Sequence, residues 1–163
     1  IIIGTGAGGG TLAYKLAATG KKILILERGD FMPLAEQNRS NVDVFKRERY
    51  HAPEEWFDSA GEPFSPQMNY AIGGNTKIYG AALLRFREKD FESVKHQGGI
   101  SPEWCLKYAD FEPYYTEAET LYKVHGQVGN DPTDPARSAD YPFAAIEQAP
   151  QMTDIYEAIA QQG

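Results

Sequence analysis

Residues 1–29 read IIIGTGAGGGTLAYKLAATGKKILILERG, and five of the first ten are glycines: Gly4, Gly6, Gly8, Gly9 and Gly10. Ile1, Ile2 and Ile3 form an unbroken β-branched run, the pattern of a strand buried on both faces of a parallel sheet. Gly4-Thr5-Gly6-Ala7-Gly8-Gly9 then matches G-x-G-x-x-G. Leu12, Ala13, Leu16 and Ala17 follow at helical spacing, and Gly20 is placed to stop that helix. A second apolar run, Ile23-Leu24-Ile25-Leu26, ends in Glu27.

Strand, glycine turn, amphipathic helix, strand and terminal acid, in that order, make a βαβ unit of the kind that binds a dinucleotide. In such a unit Gly4 makes the tight turn, Gly6 lets the backbone approach a diphosphate, and Gly9 lets the helix lie against the strand. The diphosphate is expected at the helix N-terminus, where main-chain N–H groups and the helix dipole favour an anion. Glu27 stands where a carboxylate accepts hydrogen bonds from ribose hydroxyls and repels a ribose phosphate.

Composition narrows the partners. With 42% hydrophobic and 24% charged residues in 163, the chain has the balance of a soluble globular protein with a sizeable core. Its 16 basic and 23 acidic residues give a formal charge of −7, which argues against nucleic acid or an anionic membrane as main partner. Cys105 is the single cysteine, so no internal disulfide is possible and the compartment, cytoplasmic or periplasmic, stays open. No apolar run reaches the roughly 20 residues that a helix needs to cross a bilayer. The start inside a strand and the stop after a helical stretch, residues 152–162, lead to the expectation that the chain is a piece of a longer protein.

Beyond the first unit the pattern loosens. Residues from about 30 to 67 are punctuated by Pro33, Pro53, Gly61, Pro63 and Pro66 and suggest a lid-like insertion. Within it, residues 38–51 predict a helical stretch with Val42, Phe45 and Arg49 on one side; Lys46, Arg47, Glu48 and Arg49 read as a solvated face. Strands are weakly indicated at 69–72 and 81–86. Gly73-Gly74-Asn75-Thr76 and Gly80-Ala81-Ala82 suit either a backbone pressed against a flat ligand or a close-packed glycine turn. A later helix is expected with Asp110 as cap, Pro113 in the first turn, Gly126 at its end, and a core stripe of Phe111, Tyr114, Tyr115, Ala118, Leu121 and Tyr122. Residues 127–151 read as an extended connection.

Catalytic motifs are missing. His51, His96 and His125 stand apart without metal-ligand or triad partners at useful spacing, and there is no H-E-x-x-H, C-x-x-C, G-x-S-x-G or Walker lysine.

The opening stretch, GGNTKIYGAALLRFREKDF (73–91) and YADFEPYYTEAETLYKVHG (108–126) together resemble the N-terminal part of the glucose-methanol-choline (GMC) oxidoreductases, flavoenzymes that oxidise alcohol groups. The resemblance implies an α/β fold: an incomplete FAD-binding Rossmann-like domain over residues 1–100, insertion included, with the beginning of a substrate-binding portion, helical and loop-rich, over 101–163. It implies that Gly4, Gly6 and Gly9, with Ala7 and Gly8 between them, approach the FAD diphosphate. Glu27, with Arg28 beside it, meets the adenosine ribose. Gly73, Gly74, Asn75 and Thr76 match the second flavin segment, and Tyr79, Gly80, Ala81 and Ala82 the part passing the isoalloxazine ring.

The family's catalytic histidine and its partner are expected downstream of Gly163, so residues 1–163 alone are expected to be inactive. The implied substrate is a small alcohol or sugar, oxidised by hydride transfer to flavin; the electron acceptor is not readable. Where some family members carry a histidine bonded covalently to FAD, this chain has Lys77, a protonated amine, so noncovalent FAD is expected. Two alternatives stay open: an NAD-dependent dehydrogenase, which leaves the second glycine segment without a role, and a nucleotide-binding module without catalysis.

Overall fold

A computed structural model describes residues 1–66, 68–80 and 82–162. The chain is mixed α/β and divides into two compact units, Ile1–Ala81 and Ala82–Gly163.

The first unit is built on the expected βαβ. Strand β1 (Ile2–Ile3) pairs in parallel with β2 (Ile25–Leu26), Ile2 opposite Ile25 and Ile3 opposite Leu26, and helix α1 (Ala7–Ala17) makes the crossover. Gly4 turns the chain at φ +87°, a conformation that a side chain would strain. Gly9 permits close packing: a Cβ there would stand 2.0 Å from the Gly4 carbonyl oxygen and 3.2 Å from Ile2 Cγ2. The continuous apolar run predicted burial on both faces, and this is corrected. Ile2 is buried under the start of α1, whereas Ile3, pointing the other way as successive strand residues do, is 85% exposed.

The segment after β2 is irregular, with short 3₁₀ (Glu36–Arg39) and π-helical (Val42–Lys46) turns and an antiparallel hairpin, β3 (Trp56–Phe57) with β4 (Pro63–Phe64). The hairpin turn closes on Asp58, whose Oδ1 accepts from the amides of Ala60 and Glu62. Val44 is the residue that the π turn buries, and Val42, Phe45 and Arg49 are all exposed. Residues 46–49 are exposed, as a solvated face requires. Of the strand indicated at 69–72, the structure forms a single parallel bridge, Asp30 with Ala71, and the Ile72 amide donates to the Asp30 carbonyl at 3.0 Å. A 3₁₀ turn over Gly74–Lys77 follows.

In the second unit, residues 82–86 form no strand, which corrects that expectation over the described part of 81–86. Hairpin β5 (Val94–His96) with β6 (Gly99–Ser101) leads to α2 (Tyr108–Tyr122). The helix starts a turn earlier than predicted. Lys107 is its N-cap, and Asp110, at the third helical position, accepts the Lys107 amide at 2.8 Å, so Pro113 lies inside the helix. It ends on Lys123 in the left-handed region rather than at Gly126, which instead joins β7 (His125–Gly126), paired in parallel with β8 (Phe143–Ala144). Helix α3 (Pro150–Ala160) falls where residues 152–162 predicted one.

The predicted aromatic stripe of α2 is rotated. Phe111 and Tyr115 are half-buried, but Tyr114 is 69% exposed, and the buried residues of the helix are Tyr108 and Glu119. Phe91 anchors the apolar side, stacking on Phe111 at 5.3 Å and meeting Phe86, Trp104 and Tyr108 edge-on. Arg85 anchors the polar side. Its side chain, 2% exposed, grips Glu119 with Nε to Oε1 and Nη2 to Oε2, both 2.8 Å, and Nη1 donates to Tyr108 and Glu112. Arg137 adds a 2.6 Å bond to Glu119. Burial works against both charges, but these bonds outweigh it, holding Glu119 below its ordinary value and Arg85 above its own.

Candidate functional site

The end of β1 delivers the glycine turn and the end of β2 delivers Glu27 to the same place. There the Thr5 amide donates to Glu27 Oε2 at 2.8 Å, the Thr5 hydroxyl donates to the same oxygen, and the Gly29 amide donates to Oε1 at 2.9 Å. The Gly29 amide, then the Thr5 hydroxyl and the Thr5 amide, hold the carboxyl down at about 2, well below the usual range. All of these donors are neutral, so Glu27 stays a full negative charge at neutral pH.

The second glycine segment arrives at this point from far away in sequence. The Gly73 amide donates to Thr5 Oγ1 at 2.9 Å, and a Cβ on Gly74 would lie 3.7 Å from Gly6 Cα. Gly73 has φ +95°, and the Thr76 hydroxyl closes the turn on the Gly73 carbonyl. Asn75 Oδ1 accepts from the amide and the side chain of Asn69. Gly29 permits the approach, since a Cβ there would stand 2.2–2.4 Å from the backbone of Tyr70 and Ala71.

The structure therefore brings together Gly4, Gly6, Ala7, Gly8, Gly9, Glu27, Gly73 and Gly74. Asn75, Thr76 and Tyr79 continue from the turn, with Tyr79 and Asn75 lining a cavity of about 380 Å³ whose other wall includes Val44, Phe45 and His51 from the insertion and Met68 just after it. Arg28 turns to Glu54, with which it forms an ion pair, and stacks on Tyr70 at 3.9 Å. Lys77 and Gly80 are exposed. Ala81 lies outside the described residues, and Ala82, also exposed, belongs to the second unit. Thr5 and Gly29 carry much of the geometry and escape a motif reading. Thr5 occupies a position the motif leaves free, although a glycine two residues after the acid, as Gly29 is, does signal a close approach.

A dinucleotide fits this geometry. A Cβ on Gly6 or Gly8 would meet nothing within 4 Å, so open space lies over the turn. No side chain caps α1, and its first turn carries no acid, leaving its positive end to an anion. Among the described residues no cluster of His, Cys, Asp or Glu is arranged to hold a metal, and no helix is long and apolar enough to cross a membrane.

Comparison with known proteins agrees with the geometry. Residues 2–33 match the family described as NAD(P)-binding Rossmann-like domain. The 2-methyl-1,2-propanediol dehydrogenase of Mycolicibacterium austroafricanum is 27% identical over 85% of this chain and 26% of its own length. The fructose dehydrogenase large subunit of Gluconobacter japonicus is 25% identical over 90% and 31%, respectively. The oxygen-dependent choline dehydrogenase of Rhizobium etli (strain CIAT 652) is 30% identical over 73% and 22%. The chain is a homologue of GMC-type oxidoreductases. This GMC homologue spans between about a fifth and a third of the length of those curated relatives. The part matched to the Rossmann-like family is β1, α1 and β2, the element set that FAD and NAD sites share.

Proposed function

We propose that this chain is the FAD-binding part of an oxidoreductase that oxidises an alcohol or sugar hydroxyl. The observation that carries the reading is the 2.9 Å bond from the Gly73 amide to Thr5, which joins the second glycine segment to the first. An NAD site would leave that second segment without a role. The relatives' names support the substrate class: they act on a diol, a sugar and choline.

In this reading the turn Gly4–Gly9 and the start of α1 receive the diphosphate. Glu27 accepts from the adenosine ribose, and its unneutralised charge turns away a ribose phosphate. Gly73, Gly74, Asn75 and Thr76 would hold the flavin and Tyr79 and Gly80 would pass the isoalloxazine ring, which Tyr79 and the insertion residues around the cavity would shield from water. Bound flavin supplies acceptance of a hydride from the carbinol carbon. The base that takes the hydroxyl proton lies downstream of Gly163, so residues 1–163 bind and orient without turning over. The cofactor is held noncovalently, because a lysine, Lys77, stands where a histidine would carry the covalent bond.

The test is the absorption spectrum of the purified full-length protein, followed by acid precipitation. A flavin spectrum that moves wholly to the supernatant is expected. A colourless protein that binds NADH and takes up no flavin overturns the reading, and colour left in the washed pellet overturns noncovalent attachment.

A further inference from the structure

We propose that Thr5 is the positioning residue of the nucleotide site: its hydroxyl fixes the ribose-binding carboxylate of Glu27 and pins the Gly73 turn to the same point. The inference rests on the nucleotide site proposed above and goes beyond it, since the motif gives that position no role.

A hydroxyl offers one hydrogen and two acceptor lone pairs. Thr5 gives the hydrogen to Glu27 Oε2 and accepts the Gly73 amide at 2.9 Å. Its main-chain amide donates to the same Oε2 at 2.8 Å, so that oxygen is committed to the protein. Oε1, which takes the Gly29 amide at 2.9 Å, is the oxygen left with acceptor capacity for a ribose hydroxyl. Thr5 thus selects which carboxylate oxygen faces the ligand. Because a β-branched side chain has few χ1 choices, it does so at little entropic cost.

Sequence distance shows why one hydroxyl matters. Thr5 reaches Glu27 across 22 residues and Gly73 across 68, so a single group ties together three separate pieces of chain. Glu27 has no cation among these partners to hold its orientation, and the Thr5 hydroxyl is the second-largest cause of its lowered pKa, after the Gly29 amide.

The test is a double-mutant cycle on nucleotide affinity in the full-length protein. Thr5→Val keeps the shape and the main-chain amide but removes the hydroxyl; Thr5→Ser keeps the hydroxyl. Thr5→Val is expected to weaken FAD about tenfold, the effect of one hydrogen bond to a charged group. Thr5→Ser should stay within about twofold of wild type, and in a Glu27→Gln background Thr5→Val should cost no more than about twofold. An equal loss in both backgrounds means that Thr5 acts through general structure, and wild-type affinity in Thr5→Val means that it does not act at all; either overturns the proposal. If the wild-type protein binds NADH and not FAD, the proposed function fails, and the same cycle read with NADH still decides the role of Thr5.

Discussion

Glu27 of the first unit and Glu119 of the second are both partly or wholly withdrawn from water and both stay ionised, yet they are held in opposite ways. Glu119 is gripped by two guanidinium groups, Arg85 and Arg137, which neutralise it and occupy its oxygens. Glu27 is held by two amides and a hydroxyl, which orient it but leave its charge intact. A carboxylate neutralised by arginine has nothing left to offer a ligand, so Glu119 belongs to the architecture. One oriented by neutral donors keeps its field and an acceptor site, which suits it to recognition.

The largest expected effect lies on the architectural side. Arg85→Met removes the bidentate grip on Glu119, whose bond to Arg137 remains, and the ion pair to Glu112, and should destabilise the protein by about 3 kcal/mol in denaturant unfolding. A loss below 1 kcal/mol would show that the cluster is not a core.

The glycine turn separates packing from binding. Gly9→Ala drives a Cβ into the Gly4 carbonyl and should cost about 1–3 kcal/mol of stability. Gly8→Ala places its Cβ in open space, so apo stability should change by less than about 0.5 kcal/mol while FAD affinity falls at least tenfold. Equal effects of the two on stability would erase the distinction.

A smaller effect concerns pH. The folded pKa of Glu27, about 2, lies below the ordinary value of 4.5, so its contribution to stability is complete above about 4.5 and is lost as pH falls toward 2. The unfolding profile of Glu27→Gln should therefore be flatter than wild type between pH 4.5 and 2. Parallel profiles would mean that the Thr5 and Gly29 donors do not stabilise the ionised form.

What could be read in the sequence follows the range of the interactions. The order β1–α1–β2 is written in local periodicity and one glycine motif and it forms, but the second strand keeps only Ile25–Leu26 of the run 23–26, and Ile3 and Leu12 are exposed. Thr5 and Gly73, 68 residues apart, are joined by one hydrogen bond that no local pattern encodes. Glu119 reads as a solvent-facing helix position until Arg85, 34 residues earlier, folds against it and rotates the buried face of α2 away from Tyr114. Val44 is not legible from α-helical spacing, because residues 42–46 wind as a π turn.

In the proposed function, two glycine segments form one FAD site. Hydrogen–deuterium exchange on the full-length protein, with and without FAD, tests it most directly. The amides of residues 4–10 and of residues 73–80 should gain protection together when FAD binds. Protection confined to the first segment, or produced by NADH and not by FAD, would contradict the account.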